Sequence, residues 1–147
     1  MKSNAIDILI LEDDSNDLEL TMRSLKKKYP AVSIVATTDG VETLDYLFSE
    51  GVSRIQQPSD FPRLMLVDLK VPKVNGMEVI KTIKSHAVLS IIPIVVFSSS
   101  NQEEDIVLAY RNGANAYVVK PVQFEKYQEA LHHIADFWLD QNRFLRR

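Results

Sequence analysis

The 147-residue chain has the length of one domain and, at 46% hydrophobic and 25% charged residues, the composition of a globular protein. Its net charge of -3 argues against a general nucleic-acid binder, which carries a basic excess. Cysteine is absent from the sequence, which excludes disulfides and thiolate metal sites. The N-terminus does not resemble a signal peptide, and no apolar run approaches the roughly 18–20 residues that span a bilayer. We therefore expect a cytoplasmic protein without membrane contact.

The N-terminal part predicts a strand followed by a helix. Ile6–Leu11 is almost entirely apolar and stops at three consecutive acids, which is typical of a short buried strand. Asp14 or Ser15 can cap the next helix, and the first-turn acids Asp17 and Glu19 suit the positive end of its dipole. Apolar residues recur along this helix at helical spacing, at Leu18, Met22, Leu25 and Tyr29.

Two further strand–helix units follow. The β-branched segment Val32–Ala36 predicts a second strand, and Asp39-Gly40 a turn into a second helix. Leu64–Val67 is a continuous apolar run that leads directly into Asp68, as expected for a strand buried on both faces of a parallel sheet. The third helix is indicated by Met77, Ile80 and Ile83.

The C-terminal part repeats this pattern twice. Ile91–Phe97 predicts a fourth strand, Gly113 lies just past a fourth helix, and Ala116–Val119 predicts a fifth strand. The last helix carries a stripe that we expect to pack on the sheet, formed by Phe124, Tyr127, Leu131, Ile134 and Trp138.

Strand and helix thus alternate five times, which predicts an α/β fold: a (βα)5, flavodoxin-like, doubly wound parallel sheet with strand order 2-1-3-4-5. We expect one domain over residues 1–147, with a core at about 5–140, an extension of the fifth helix at 141–147 and no output domain. The aperiodic segment Ser49–Pro62 exceeds the usual loop length of about 4–6 residues, so it is either functional or mobile.

Polar residues follow four of the predicted strands. Glu12-Asp13 come after the first strand, Asp68 after the third, Ser98 after the fourth and Lys120 after the fifth. Because the carboxyl ends of parallel strands meet at one edge, the carboxylates should converge, and they then repel one another unless a cation binds. Ligands that are all oxygens favour a hard ion, Mg²⁺ in particular.

A magnesium site of this kind suits phosphoryl transfer, in which the protein mainly positions groups and neutralises charge. One carboxylate can act as the nucleophile and form an acyl phosphate. Lys120 would then offset the charge of the phosphoryl oxygens, and the Ser98 hydroxyl would donate a hydrogen bond to one of them.

At these residues the chain resembles the receiver domain of two-component response regulators, over residues 5 to about 140. The resemblance is carried by Glu12-Asp13, Asp68, Ser98, Tyr117 and Lys120-Pro121.

The resemblance implies roles for the acidic residues. Asp68 is the phosphoacceptor, Asp13 is a direct Mg²⁺ ligand, Glu12 acts on the ion through water, and the main-chain carbonyl of Lys70 supplies another ligand. Such a protein accepts its phosphoryl group from a sensor histidine kinase and signals to a downstream protein or a phosphotransfer partner. It is not an enzyme in the usual sense, because it catalyses only its own phosphorylation and dephosphorylation.

The resemblance also implies a switch. Ser98 is drawn to the phosphoryl group, the Tyr117 ring turns inward behind it, and the Lys120–Pro121 peptide bond is cis.

A closer similarity is to the single-domain regulators that pair with bacterial and cyanobacterial phytochromes. It rests on Ser49–Pro62, on the segment 92–101 and on Asp136-Phe137-Trp138-Leu139. Position 70 departs from that pattern, since it is Lys where that subfamily often has Asn, and a cation there can change the lifetime of the acyl phosphate.

Three other functions fit the same fold. A flavodoxin-like cofactor binder needs a phosphate cradle after the first strand, but the segment 12–17 is acidic and lacks glycine. A Mg²⁺-dependent phosphohydrolase would require an Asp-x-Asp motif there, and Asp13-Asp14-Ser15 lacks that spacing. A docking and dimerisation module that needs no phosphorylation is the third, and the complete set of site residues argues against it.

Aromatic residues outside the stripe of the last helix that we expect to pack on the sheet predict a homodimer. Phe137, Phe144 and, on the fourth helix, Tyr110 would leave more aromatic surface than a monomer should expose. We therefore expect a two-fold dimer through the fourth helix, fifth strand and fifth helix.

The histidines His86, His132 and His133 have no metal-site spacing, and we interpret them as surface residues.

Overall fold

The structure is a computed structural model that describes residues 6–51 and 61–144. Within these ranges five parallel strands form one sheet in the order β2-β1-β3-β4-β5, which confirms the predicted fold class. The strands are β1 Ile8–Leu11, β2 Ile34–Thr37, β3 Leu64–Val67, β4 Ile94–Ser98 and β5 Ala116–Val119.

Five helices connect and follow the strands. They are α1 Ser15–Lys28, α2 Gly40–Asp45, α3 Gly76–Lys84, α4 Glu103–Arg111 and α5 Phe124–Ala135. Helices α2 and α5 continue as π-helical turns over Tyr46–Gly51 and Asp136–Gln141, and a 3₁₀ turn lies at Leu89–Ile91. Side-chain caps fix three of the helix starts, because Asp14, Asp39 and Asn75 each accept a hydrogen bond from a first-turn N–H group.

The sheet is covered on both faces, as its continuous apolar strands require. On one face Leu9, Met65 and Val96 pack with residues of α2, α3 and α4. On the other face Ile10 and Leu66 pack with residues of α1 and α5. Alternate residues of each central strand therefore belong to two separate cores, and the strand ends lie between them.

Several predictions from the sequence need correction. The first strand begins at Ile8, not Ile6, and the second spans Ile34–Thr37, not Val32–Ala36. The fourth strand begins at Ile94, not Ile91, because Leu89–Ile91 forms the 3₁₀ turn and the Ile91 side chain is 49% exposed. Phe124 does not dock on the sheet with the rest of the stripe: it is the first residue of α5 and is 54% exposed. Phe144 packs against the core on the α2–α4 face and so does not add to the exposed aromatic surface.

Two of the histidines have structural contacts, so their interpretation as plain surface residues is wrong. The ring of His86 accepts hydrogen bonds from the N–H groups of Val88 and Leu89 and packs edge-on against Phe48. The ring of His132 is hydrogen-bonded to the Ser24 carbonyl.

The long segment Ser49–Pro62 lies mostly outside the described residues. No helix among the described residues is both long and apolar enough to cross a membrane.

Glycine is required where the loop after β3 meets α3. The Gly76 N–H group donates to the Leu69 carbonyl at 3.0 Å. A Cβ atom on Gly76 would lie 2.2 Å from the Asp68 carbonyl oxygen and 2.7 Å from the Leu69 Cα. The start of α3 therefore contacts the backbone directly after β3, and it fixes the position of Asp68.

We predict that Gly76→Ala lowers the free energy of unfolding by about 1–3 kcal/mol, because the added methyl group overlaps backbone atoms that cannot move aside. Inside a helix, Gly→Ala normally raises the free energy of unfolding by about 1 kcal/mol, so a decrease would indicate the overlap. Urea unfolding measures the effect, with the exposed position Thr82→Ala on the same helix as the control. A Gly76→Ala protein as stable as wild type would contradict the close contact.

Candidate functional site

The strand register brings the polar residues to one edge of the sheet. Leu11 pairs with Val67, and Val67 pairs with Val96, so the residues that follow β1, β3 and β4 emerge side by side. Ser98 pairs with Val119, which places Lys120 just beyond the same edge, and the Lys120 N–H group donates to the Ser98 carbonyl at 2.8 Å. The predicted convergence of these four strand ends is therefore observed.

The Lys120 ammonium is the centre of the site. Its Nζ lies 2.5 Å from Glu12 Oε1, 2.9 Å from Asp17 Oδ2 and 3.1 Å from Asp68 Oδ2. The side chains of Lys120 and Glu12 are 7% and 5% exposed, and that of Asp68 is 11% exposed. Three N–H groups of one ammonium thus have three carboxylate acceptors, which is the full donor capacity of lysine.

Burial and mutual attraction shift the titration of this cluster. Burial raises the pKa of the Glu12 carboxyl to about 7, although the hydrogen bond from Lys120 opposes the shift. Burial opposes the charge of Lys120, but hydrogen bonds to Glu12 and Asp17 hold its pKa above the ordinary lysine value. The ammonium is therefore charged at every physiological pH.

Glu12, Asp13 and Asp68 fit a divalent metal ion. One carboxylate oxygen of each lies within 4.8 Å of the others, and among the described residues these three acids form a group that could hold a metal. Glu12 and Asp68 are buried, whereas Asp13 is exposed, so the group opens to solvent on the Asp13 side. Carboxylate oxygens with no nitrogen or sulfur donor match Mg²⁺ or Mn²⁺.

Asp17 was missed by the sequence analysis, which explained it by the helix dipole. In the structure it sits in the first turn of α1 and its carboxylate forms the third ion pair of Lys120. Its position three residues after the Asp14 cap could have indicated a carboxylate near the strand ends. The sequence does not give its direction, because that depends on how α1 crosses the sheet.

Ser98 lies at the end of β4, and Tyr117 lies in the neighbouring strand β5, where it pairs with Val96. Ser98 is fully buried, and its Oγ accepts a hydrogen bond from the Ser100 N–H group at 3.3 Å. The Tyr117 hydroxyl donates to the Ser100 carbonyl at 2.8 Å, and its partly buried ring packs on the core. Burial raises the pKa of Tyr117.

Two expectations concern backbone near Asp68 and Lys120. The Lys70 side chain is exposed, and its N–H group lies 3.4 Å from Asp68 Oδ1, so residue 70 contacts the acid through its main chain. The expected cis Lys120–Pro121 bond is wrong, since the described residues contain no cis peptide bond. Trans is the isomer that the bond favours intrinsically.

Comparison with protein families gives one match over most of the chain. The model described as "Response regulator receiver domain" matches residues 8–132. The "Probable methanogenesis regulatory protein FilR2" of Methanothrix harundinacea is 37% identical over 92% of this chain and 85% of its own length. Response regulator Rcp1 of Synechocystis is 31% identical over 90% of this chain and 88% of its own length.

Solved structures extend these similarities. The phosphorylated cyanobacterial phytochrome response regulator RcpA superposes with a TM-score of 0.86 at 32% identity, covering 97% of this chain and 99% of that one. The Mn(2+)-bound form of Rcp1 gives a TM-score of 0.84 at 28% identity over 96% and 99% of the two chains. The bacteriophytochrome response regulator AtBRR gives 0.69 at 41% identity over 98% and 99%.

We predict that Glu12→Gln changes how stability depends on pH. The folded pKa of about 7 exceeds the ordinary 4.5, so between these values the folded state binds more protons than the unfolded state. The stabilisation from Glu12 is fully present below the ordinary pKa and is lost as the pH rises through the folded value. Wild type should therefore lose thermal stability relative to Glu12→Gln as the pH rises from 4.5 to 7.

Melting temperatures with a metal chelator present measure this difference. The exposed Glu104→Gln serves as the control and should run parallel to wild type at each pH. Parallel curves for wild type and Glu12→Gln would show that the Glu12 carboxyl titrates normally.

Proposed function

Because this chain belongs to the response regulator receiver domain family, we propose that it accepts a phosphoryl group from a sensor histidine kinase on Asp68. The observation that carries the proposal is the Lys120 ammonium, held 3.1 Å from the Asp68 carboxylate beside two further acids that could bind a metal. A buried carboxylate at the end of a central strand is an available nucleophile, and the groups around it can balance the incoming charge.

Each residue of the site has a role in that step. An Asp68 oxygen forms the new bond to phosphorus while the bond to the phosphohistidine nitrogen breaks, which leaves an aspartyl phosphate and a neutral histidine. Lys120 offsets charge on the transferred oxygens, and Ser98 donates a hydrogen bond to one of them. Glu12, Asp13 and Asp68, with the Lys70 carbonyl, would hold Mg²⁺, which neutralises charge on the phosphoryl group when it is bound.

The proposed signal leaves the site through Ser98 and Tyr117. Ser98 is buried at the end of β4, and the adjacent Tyr117 hydroxyl is bonded to the Ser100 carbonyl that follows it. When Ser98 turns toward a phosphoryl group, the loop after β4 shifts and the Tyr117 ring moves with it. The α4–β5–α5 side of the domain is then the surface that changes for a downstream partner.

The partner kinase that we propose is of the phytochrome class. The support is similarity, at nearly full coverage, to RcpA and AtBRR, which are described as a cyanobacterial phytochrome response regulator and a bacteriophytochrome response regulator. FilR2, which is 37% identical over 92% of this chain, is described as a probable methanogenesis regulatory protein. Phosphotransfer from a bacteriophytochrome and from a kinase of another class, timed side by side, distinguishes the two.

We predict that Asp68→Asn abolishes phosphorylation by acetyl phosphate with Mg²⁺, because an amide is a poor nucleophile. The measurement is the mass increase of the intact protein, with the bond checked as acid-stable and base-labile. Asp14→Asn is the matched control, since it removes a nearby exposed carboxylate while Asn still caps α1. It should label like wild type.

An Asp68→Asn protein that labels like wild type would refute the assignment. Absence of label in wild type itself, with both small phosphodonors and kinases, would favour a docking module that works without phosphorylation.

We further propose that the chain forms a homodimer through the α4–β5–α5 face, which we define by its exposed apolar side chains at the β5 edge of the sheet. These are Val107, Leu108 and Tyr110 on α4, Val119 on β5, Val122, and Phe124 on α5. Val122 is fully exposed, and Leu108, Tyr110 and Phe124 are about half exposed. These six exposed apolar side chains are available to an interface, and most homo-oligomers are two-fold dimers. Tyr117 lies in β5 beneath this face, so phosphorylation should tighten the dimer.

We predict that Leu108→Ser and Phe124→Ser each weaken dimerisation by about tenfold or more, as loss of a central apolar contact does. Val88→Ser is the matched control, because Val88 is as exposed as Leu108 but lies in the turn after α3. Sedimentation with and without a phosphoryl mimic measures the effect. A wild type that stays monomeric at tens of micromolar in both states would refute the dimer.

A further inference from the structure

We propose that Asp17 is a positioning residue for Lys120: it retains the ammonium when Glu12 and Asp68 bind a divalent cation. Three described carboxylates pair with the Lys120 ammonium, and Asp17 is the one of them that does not belong to the candidate metal group. This role rests on the proposed function, because it takes Glu12 and Asp68 as metal ligands.

The need for such a residue follows from the shared acceptors. Glu12 and Asp68 provide two of the three carboxylates around Lys120 and also two of the three in the metal group. When they bind a divalent cation, they share their charge with that ion, so their pairing with Lys120 is weakened while a second positive charge lies beside it. A buried cation without acceptors is strongly unfavourable. Asp17, 2.9 Å from Nζ, offers an acceptor that the metal does not use.

The main chain of Asp17 has hydrogen bonds of its own, in addition to the ion pair of its carboxylate with Lys120. Its N–H group donates to Asp14 Oδ1 at 2.9 Å. Its carbonyl oxygen accepts from the Tyr127 hydroxyl at 3.4 Å, and that hydroxyl is also paired with Thr21 Oγ1 at 3.0 Å in a buried contact. These hydrogen bonds fix the first turn of α1 on both sides. They thereby fix the position from which the Asp17 carboxylate reaches Lys120.

Aromatic rings limit where the ammonium can go. Lys120 Nζ lies 6.0 Å from the centre of the Phe97 ring, and Phe97 packs edge-on against Tyr127 at 5.1 Å. Tyr127 therefore contacts Asp17 through its hydroxyl group. Its ring packs against Phe97, the ring over which the Lys120 ammonium lies. Among the three described carboxylate partners, Asp17 is the one that can pair with Lys120 without also facing the metal.

Other acids of this helix cannot substitute. Asp14 uses a carboxylate oxygen to cap α1, and Glu19 pairs with Arg23 on the exposed side of the helix. The selective position of Asp17 allows a matched comparison, because Asp14→Asn removes an equal charge from the same helix end without touching Lys120.

The experiment is a Mg²⁺ titration by calorimetry without phosphodonor. Asp17→Asn should weaken Mg²⁺ binding by about three- to tenfold, because the ammonium then falls back onto Glu12 and Asp68 and competes with the ion. Asp14→Asn should change the affinity by less than about twofold, the effect of a more distant charge. In a Lys120→Ala background, Asp17→Asn should weaken binding no more than Asp14→Asn does.

The outcomes separate this inference from the function on which it rests. Equal effects of Asp17→Asn and Asp14→Asn would overturn it, as would an undiminished effect of Asp17→Asn in the Lys120→Ala background. A wild type that binds no Mg²⁺ would instead refute the proposed metal site. Melting temperatures verify that each variant is folded, and Asp17→Ser, which leaves the main-chain bonds intact, should reproduce the result of Asp17→Asn.

Discussion

One buried ammonium holds the functional edge of this sheet together. Lys120 follows β5, and its three carboxylate partners come from the end of β1, the first turn of α1 and the end of β3. Removing one member of such a cluster leaves uncompensated charge in a poorly solvated place, which typically costs about 3–5 kcal/mol. The positions of these four segments are therefore coupled through one side chain, and Asp68 cannot move without changing what Lys120 contacts.

The backbone around Asp68 supports this arrangement by close packing. Gly76 lies against the Asp68 carbonyl, and a Cβ at Gly40 would lie 1.8 Å from the Val74 carbonyl oxygen, so the loop after β3 is pressed between two helix starts. Within that loop Lys73 has a φ of 56°, a left-handed conformation that is unfavourable for a residue with a side chain. Lys73 is therefore held by its surroundings in a conformation that its own side chain disfavours.

The sequence was sufficient to predict the sheet and the convergence of the strand ends, because continuous apolar runs that stop at polar residues leave few alternatives for Asp68 or Lys120. It was insufficient for Asp17, whose direction depends on the crossing of α1 over the sheet. It was also insufficient for Phe124, which continues the apolar spacing of α5 but is its first residue and lies beyond the core. Spacing along a helix shows which residues share a face, and it does not show how far along that face the partner surface extends.

The chemistry of the cluster is better suited to exchange of partners than to stability. Buried ion pairs contribute little net stability, since the loss of hydration offsets most of the attraction. In the proposed exchange, Glu12 and Asp68 turn to the metal ion and Asp17 remains as a carboxylate acceptor for the ammonium. Ser98 and Asp68 lie at neighbouring strand ends, and the Lys120 N–H group bonds the Ser98 carbonyl, so the site is linked through the backbone to the ends of β4 and β5. The proposed path from the charge of the site to the α4–β5–α5 face therefore begins at Lys120 and Ser98.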